Sequence, residues 1–180
     1  MKKTTNIYIL IDSSHQSYHG ATKLQSLLLK MKRSLEFSDI KTKLHIWTFN
    51  DTARLSEPGE RYYIGGNPNL SVGLKAIKNA IEYERKYAPN QTRSIFLLFC
   101  GERILDGWQK ALENLFYTRE FAFGHRYVIT KRKPTVFALK AFRKFADTED
   151  RIVAHFSESR LCSLVKDVHI KEIKKWYTPY

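Results

Sequence analysis

Cysteine is scarce in this sequence. Its 180 residues hold two, Cys100 closing an apolar run and Cys162 within a helical pattern, with neither metal-ligand spacing nor the pairing of a disulfide framework. Both read as buried thiols. Long apolar runs are missing too: Ile7 to Ile11 and Ile95 to Cys100 fall far short of the roughly 20 residues that span a bilayer. The opening MKKTTNIYILID places lysines before apolar residues as a secretion signal does, but Asp12 ends the run early. These absences exclude a membrane span and set the expectation of a cytoplasmic protein beginning with a strand. In such a protein the sequon Asn90-Gln91-Thr92 carries no meaning.

Enzyme signatures are mostly absent. The stretch GGNPNLSVGLK, Gly65 to Lys75, lacks the Gly-Lys-Ser or Gly-Lys-Thr of a phosphate-binding loop. There is no Gly-x-Ser-x-Gly elbow and no kinase motif set. Asp12 would suit a metal-dependent phosphohydrolase in which an aspartate attacks phosphorus, yet that chemistry wants a second aspartate two residues on, where Ser14 stands. Glu102 and Asp106 could pair as carboxylates, but on a strand-to-helix loop they more simply favour the helix N-terminus, by about 0.3–1 kcal/mol each.

Acidic residues are the third shortage: 18 Asp and Glu stand against 31 Lys and Arg, a net charge of +13. Such an excess favours polyanions, acidic partner surfaces or anionic lipid without specifying one. The bases are scattered into local clusters at Lys30 to Arg33, Lys131 to Lys133 and Lys174-Lys175, with no basic tail and no RNA-recognition or zinc-finger signature.

What is present is the patterning of a globular chain, 43% apolar and 13% aromatic, with no internal repeat and no interior linker. A single domain of this size buries roughly 70% of the surface its unfolded chain exposes, so the core needs no staple. Strands are expected at Ile7 to Ile11, Leu44 to Phe49, a short Arg61 to Ile64, Ile95 to Cys100, Tyr127 to Thr130 and Ile152 to Phe156. Helical spacing links Leu24, Leu27, Leu28, Met31 and Leu35, then Leu70, Leu74, Ile77 and Ile81, then Trp108, Ala111, Leu112, Leu115 and Phe116. It recurs in Val136, Leu139 and Phe142 and in Leu161, Leu164, Val165 and Val168, with Pro134 at one helix start and Ser157 or Ser159 capping the last. Strands alternating with helices predict an α/β domain whose mostly parallel sheet gathers its ligand loops at the strands' carboxyl ends.

Three loops should meet there: Asp12-Ser13-Ser14-His15-Gln16, Gly65-Gly66-Asn67-Pro68-Asn69-Leu70 and Phe99-Cys100-Gly101-Glu102. In this order they resemble the von Willebrand factor A domain, where a first strand ends in Asp-x-Ser-x-Ser, a middle loop reads Gly-Gly-Thr-x-Leu, and a later strand ends in Thr-Asp-Gly-Glu. WTFNDTARL at Trp47 to Leu55 is similar to that family's second strand and the turn after it. LDGWQKALENL at Leu105 to Leu115 is similar to its bacterial tellurite-resistance-associated branch. The resemblance implies a Rossmann-like three-layer sandwich, a mostly parallel six-stranded sheet with helices on both faces. It would fill residues 1–175 as one domain, with 176–180 as a short extension in which Trp176 and Tyr177 pack back or meet a partner.

The family's adhesion site holds Mg²⁺ through one aspartate, two serines, a threonine and a second aspartate. Carried over by position, Asp12 and Ser14 remain; the second serine has become Gln16, the threonine Pro68 and the second aspartate Cys100. Proline offers no side-chain oxygen and a thiol is a soft ligand, so the set implies a degenerate site with no cofactor. Substitute oxygens for a rescued Mg²⁺ site could come from Gln16, Ser17, Asn67, Asn69 and Glu102. The simpler expectation is that Ser13, Ser14 or Ser17 caps the first helix while Asp12 accepts backbone hydrogen bonds across the loops. His15 and His19 beside Asp12 raise a zinc alternative; His45, His125, His155 and His169 share no ligand spacing.

The resulting expectation is a non-enzymatic protein-interaction module binding another protein with an acidic surface, through the edge formed by Asp12, Ser14, Gln16, Asn67, Asn69, Cys100 and Glu102. The resemblance sets it in a bacterial stress-response or tellurite-resistance-like system, a cytoplasmic scaffold associated with kinase and phosphatase partners. Nucleic-acid binding is the alternative, resting on the charge and on Phe137, Lys140, Phe142, Arg143 and Lys144 after Lys131 to Lys133. Against it, Val136 and Phe142 would face the core and leave Lys140, Arg143 and Lys144 as a solvated helix face. A metal-dependent phosphohydrolase is a further alternative.

Overall fold

A computed structural model describes residues 5–17, 21–36, 42–87, 93–130 and 132–153. Strand β1 (Thr5–Asp12) is buried along its whole length, as a strand covered on both faces must be. It lies at the centre of the sheet. It pairs in parallel with β2 (Thr42–Phe49) on one side and with β4 (Arg93–Cys100) on the other. Beyond β4 come β5 (His125–Thr130) and a two-residue β6 (Ile152–Val153), both parallel. The opposite edge is β3 (Ala53–Ser56), antiparallel to β2, so the order is β3-β2-β1-β4-β5-β6.

Alternate residues of each strand feed two cores. Tyr8, Leu10, Phe96, Leu98 and Val128 pack with Leu74, Ile77 and Ile81 of α2 (Leu70–Tyr87), Trp108, Leu112 and Leu115 of α3 (Trp108–Phe116), Phe121 of the short α4 (Arg119–Ala122), and Phe142 and Phe145 of α5 (Val136–Phe145). On the other face Ile7, Ile9, Ile11, Ile95, Leu97 and Ile129 meet Leu24, Leu28 and Met31 of α1 (Ala21–Glu36). Each such fully buried aliphatic side chain contributes on the order of 1.5–3 kcal/mol. Helices thus flank a mostly parallel sheet, an arrangement compatible with a Rossmann-like α/β fold. Among the described residues no helix is long and apolar enough to cross a membrane.

Several expectations need correction. Arg61 to Ile64 is not a strand. The second edge is Ala53–Ser56, because the Asn50 side chain accepts from Thr52 N at 3.0 Å and folds WTFNDTARL into a hairpin, not a strand and a turn alone. Five strands of four or more residues carry the sheet, and only Ile152–Val153 of the sixth falls within the described residues. Helix α5 starts at Val136 behind an N-cap Thr135 whose hydroxyl accepts from Ala138 N, so Pro134 precedes the cap. Val136 is 78% exposed; the buried spacing is Ala138, Ala141, Phe142 and Phe145, which turns Val136 to the opposite side. The expected helix at Leu161 to Val168, its cap, and residues 176–180 lie outside the described residues.

A buried arginine, invisible to pattern reading, ties the far end together. Arg126 in β5 donates to the carbonyls of Phe145 (2.8 Å), Phe121 (2.6 Å) and Ala122 (3.0 Å) and lies over the rings of Phe116 and Phe121. Burial pushes its guanidinium below the ordinary arginine range, opposed by Asp147.

Candidate functional site

The parallel register of β1 and β4 sets their carboxyl ends side by side, Ile11 opposite Phe99, and the loops leaving them must share one space. Asp12 closes β1 and is 2% exposed. A buried carboxylate is costly unless donors surround it, and this one has several. Oδ1 accepts from Ser14 N at 2.8 Å; Oδ2 accepts from Gly101 N at 3.0 Å and from Gln16 Nε2. The Cys100 thiol stands 3.8 Å from Oδ2, and burial first and the Asp12 charge second push that thiol well above its ordinary pKa.

Gln16 joins two of the loops. Its Nε2 also donates to Arg103 O at 2.7 Å while Oε1 accepts from Arg103 N at 3.1 Å, so the side-chain amide pairs with the backbone as a strand would. The orientation follows from the network, since a flipped amide would face its oxygen toward two acceptors. Gly101 makes room: a Cβ there would lie 2.1 Å from Gln16 Cδ.

The middle loop, Gly65 to Leu70, is tied to the first through Ser13. Ser13 donates both N (2.8 Å) and Oγ (3.0 Å) to Phe49 O, and its own carbonyl accepts from Gly65 N at 2.9 Å. Its hydroxyl therefore does not cap α1, which begins only at Ala21. Asn67 turns away from Asp12: its N and Nδ2 donate to Asp51 at 3.2 and 2.9 Å. Gly66, at φ 73°, passes so close that a Cβ would lie 2.3 Å from Asp51 Oδ2. Asn69 N bonds Asn67 O, and the Pro68 carbonyl accepts from Leu70 N and Leu105 N. Glu102 contributes its carbonyl, which accepts from Thr135 N at 2.8 Å and draws the β5–α5 loop onto the same edge.

Asp12, Ser14, Gln16 and Cys100 are thus brought together in one group with Asp12, Ser14 and Cys100 buried, whereas Asn67 bonds Asp51 instead and Asn69 and Glu102 take part through their backbones. Asp51 and Tyr62 also belong to this neighbourhood, Asp51 through Asn67 and Tyr62 through the charge of Asp12. The family pattern assigns them no role, and only the turn after β2 brings Asp51 within reach of Asn67. The Tyr62 phenol is raised above its ordinary pKa by burial and then by Asp12. Asp106 accepts from Gly107 N and Gln109 Nε2 at the start of α3, which holds its carboxyl below the usual range and separates it from any pairing with Glu102.

Asp12 and Ser14 are the positions that match oxygen ligands of the family the sequence resembles, and Gln16 aims its nitrogen, not its oxygen, at Asp12. In this arrangement the donor set does not fit Mg²⁺, which asks for near-octahedral oxygen coordination. For the zinc alternative, His15 is exposed and His19 lies outside the described residues. No group of three or more His, Cys, Asp or Glu is placed to hold a metal among the described residues. His45 instead stacks on Tyr8 at 4.7 Å and bonds Asn6 Oδ1, while His125 sits by Asp147 at 3.8 Å. His155 and His169 lie outside the described residues. A polar cleft of about 120 Å³ between β3 and the 60–63 loop is lined by Ser13, Arg54, Arg61 and Tyr62 among others, well below the roughly 300 Å³ at which ligand pockets begin.

No family model matches the chain, and no curated protein matches it. Among solved structures it is similar to proximal thread matrix protein 1 from the mussel byssus, in crystal form 2 with a TM-score of 0.68 at 15% identity, over 93% of this chain and 47% of that one. A second structure of the same mussel protein gives a TM-score of 0.65, again at 15% identity over 93% of this chain and 47% of that one. The chain spans about half the length of these solved chains. At that identity the likeness is one of fold.

Proposed function

We propose that this chain is a non-enzymatic protein-interaction module of the von Willebrand A type whose adhesion edge works without a metal ion. The observation that carries the reading is the Gln16 carboxamide, which donates to Asp12 Oδ2 and pairs with the Arg103 backbone. An amide N–H there offsets the carboxylate's desolvation locally and consumes the oxygen a ligand would share. Asp12 is also poorly placed as a nucleophile, because its two oxygens already accept from Ser14, Gly101 and Gln16.

The partner is another protein, engaged through loop shape and charge. The bacterial stress-response setting implied by the tellurite-resistance resemblance belongs to this proposal as its context. Calorimetric titration with Mg²⁺ and Mn²⁺ on the wild type and Asp12→Ala tests the metal-free edge. Silence in both is expected. Wild-type binding that Asp12→Ala abolishes would overturn it, as would Mg²⁺-dependent turnover of a generic phosphoester lost in the same variant.

A further inference from the structure

The solvent side of α5 carries charge of one sign. Val136–Phe145 reads VFALKAFRKF, with three basic residues and no acidic one, and Arg132 and Lys133 precede it, both exposed. Arg143 is engaged by Glu149 at 2.8 Å. Lys140 and Lys144 are exposed, and spacings of three and four residues align them with Phe137 along one stripe. The Lys144 ammonium lies 5.6 Å from the centroid of the Trp108 ring, which fixes the lower end of the stripe against α3.

At the upper end the stripe becomes apolar. Val136 is 78% exposed and Phe137 40%, and Leu105, also 40% exposed, belongs to the β4–α3 loop that the Thr135 N to Glu102 O bond draws alongside. Side chains of this kind are stabilised when covered, and scattered single ones need no explanation, but Val136 and Phe137 are adjacent at the mouth of a cationic stripe and Leu105 lies on the loop drawn toward it. Two of the three are aliphatic and offer no ring face for a base to stack on, which favours a protein over a single-stranded nucleic acid.

We infer that this face, Leu105, Val136 and Phe137 as anchors with Lys133, Lys140 and Lys144 as the charged track, docks an acidic amphipathic segment of a partner protein. The inference rests on the interaction-module reading and names the partner's chemistry. Apolar residues on such a segment at i, i+3 and i+4 seat on the anchors. Its carboxylates follow the lysines down α5, and they contribute more to orientation and association rate than to raw affinity.

The test is fluorescence anisotropy with three labelled probes: a synthetic helical peptide of glutamates with leucines at i, i+3, i+4 and i+7, the same peptide with serine for leucine, and a single-stranded oligothymidine. The chain is used as wild type, as V136S/F137S, as K133E/K140E and as Asn69→Arg, each checked by circular dichroism. Expected is binding of the leucine peptide alone, weakened at least tenfold in both α5 variants and by less in Asn69→Arg, which alters the adhesion edge. Equal binding of the serine peptide, with no effect of V136S/F137S, overturns the inference by reducing it to general polyanion affinity. Peptide binding lost in Asn69→Arg but kept in both α5 variants overturns it and leaves the interaction-module reading standing. Tight binding of the oligothymidine alone overturns both.

Discussion

The Gln16 carboxamide fills the space a side chain at position 101 would need: a Cβ built on Gly101 lies 2.1 Å from Gln16 Cδ and 2.4 Å from Nε2. A glycine in the third loop and a glutamine in the first are therefore one feature, and they can be tested as one.

Gly101→Ala should destabilise the fold by about 2 kcal/mol, because the displaced amide leaves Asp12 and the Arg103 backbone short of partners. In a Gln16→Ala background the same substitution should cost far less. Urea denaturation of the two single variants and the double variant measures the coupling, which close contact predicts to be at least about 0.5–1 kcal/mol. Additive effects would show that the two residues do not share the space.

Gly66 separates two contributions in the same way. Gly66→Ala should cost about 1–2 kcal/mol from the left-handed backbone alone. The Asp51 clash adds to that. In an Asp51→Ala background only the backbone part should remain, while amide exchange at Asn67 quickens once its acceptor is gone. Unfolding midpoints and hydrogen exchange read the two effects independently.

Arg126→Met keeps most of the side chain's length but strips the donors from the carbonyls of Phe145, Phe121 and Ala122. Buried hydrogen bonds to charged groups are worth about 1.5–3 kcal/mol each when broken singly, so a loss of at least about 3 kcal/mol is expected in denaturant. Arg126→Lys should recover only part of it, since an ammonium cannot span the fork of a guanidinium. A variant with wild-type stability would show that the carbonyls find water instead.

His45 makes stability depend on pH. Burial lowers its pKa below the ordinary value of 6.5, more than Glu84 raises it. The unfolded chain therefore takes up a proton at higher pH than the folded one does. The stability is fully present above about pH 6.5 and declines as the pH falls from there toward the depressed folded value. Thermal unfolding from pH 7.5 to 5 should show this slope, and His45→Phe, which keeps a ring against Tyr8, should flatten it. An unchanged slope would place the titration elsewhere.

The central strands and the four longer helices were legible because each carries a full period of apolar residues, and burial then follows from that period. Errors fell where the period is short or broken. Ala53–Ser56 presents four residues with no continuous apolar signal, and it is a strand because Asn50 turns the chain back onto β2. The three-residue pattern Val136, Leu139 and Phe142 points Val136 inward, whereas the buried spacing Ala138, Ala141, Phe142 and Phe145 turns it outward.

At the site, sequence alone determined that Pro68 and Cys100 bring no side-chain oxygen to the loops, whatever the fold. It also determined the charge excess and the spacing of the basic and apolar residues on α5. The tertiary structure alone decided how the loops are joined. The Gln16 amide, a local neighbour of Asp12, reaches Arg103 only because parallel pairing of β1 with β4 sets two loops within a side chain's length of each other. Asp51 meets Asn67 only because the tight turn after β2 holds it at that edge. Composition can remove a ligand from a list, but a hydrogen bond between residues nearly ninety positions apart exists only once the sheet has fixed the distance between them.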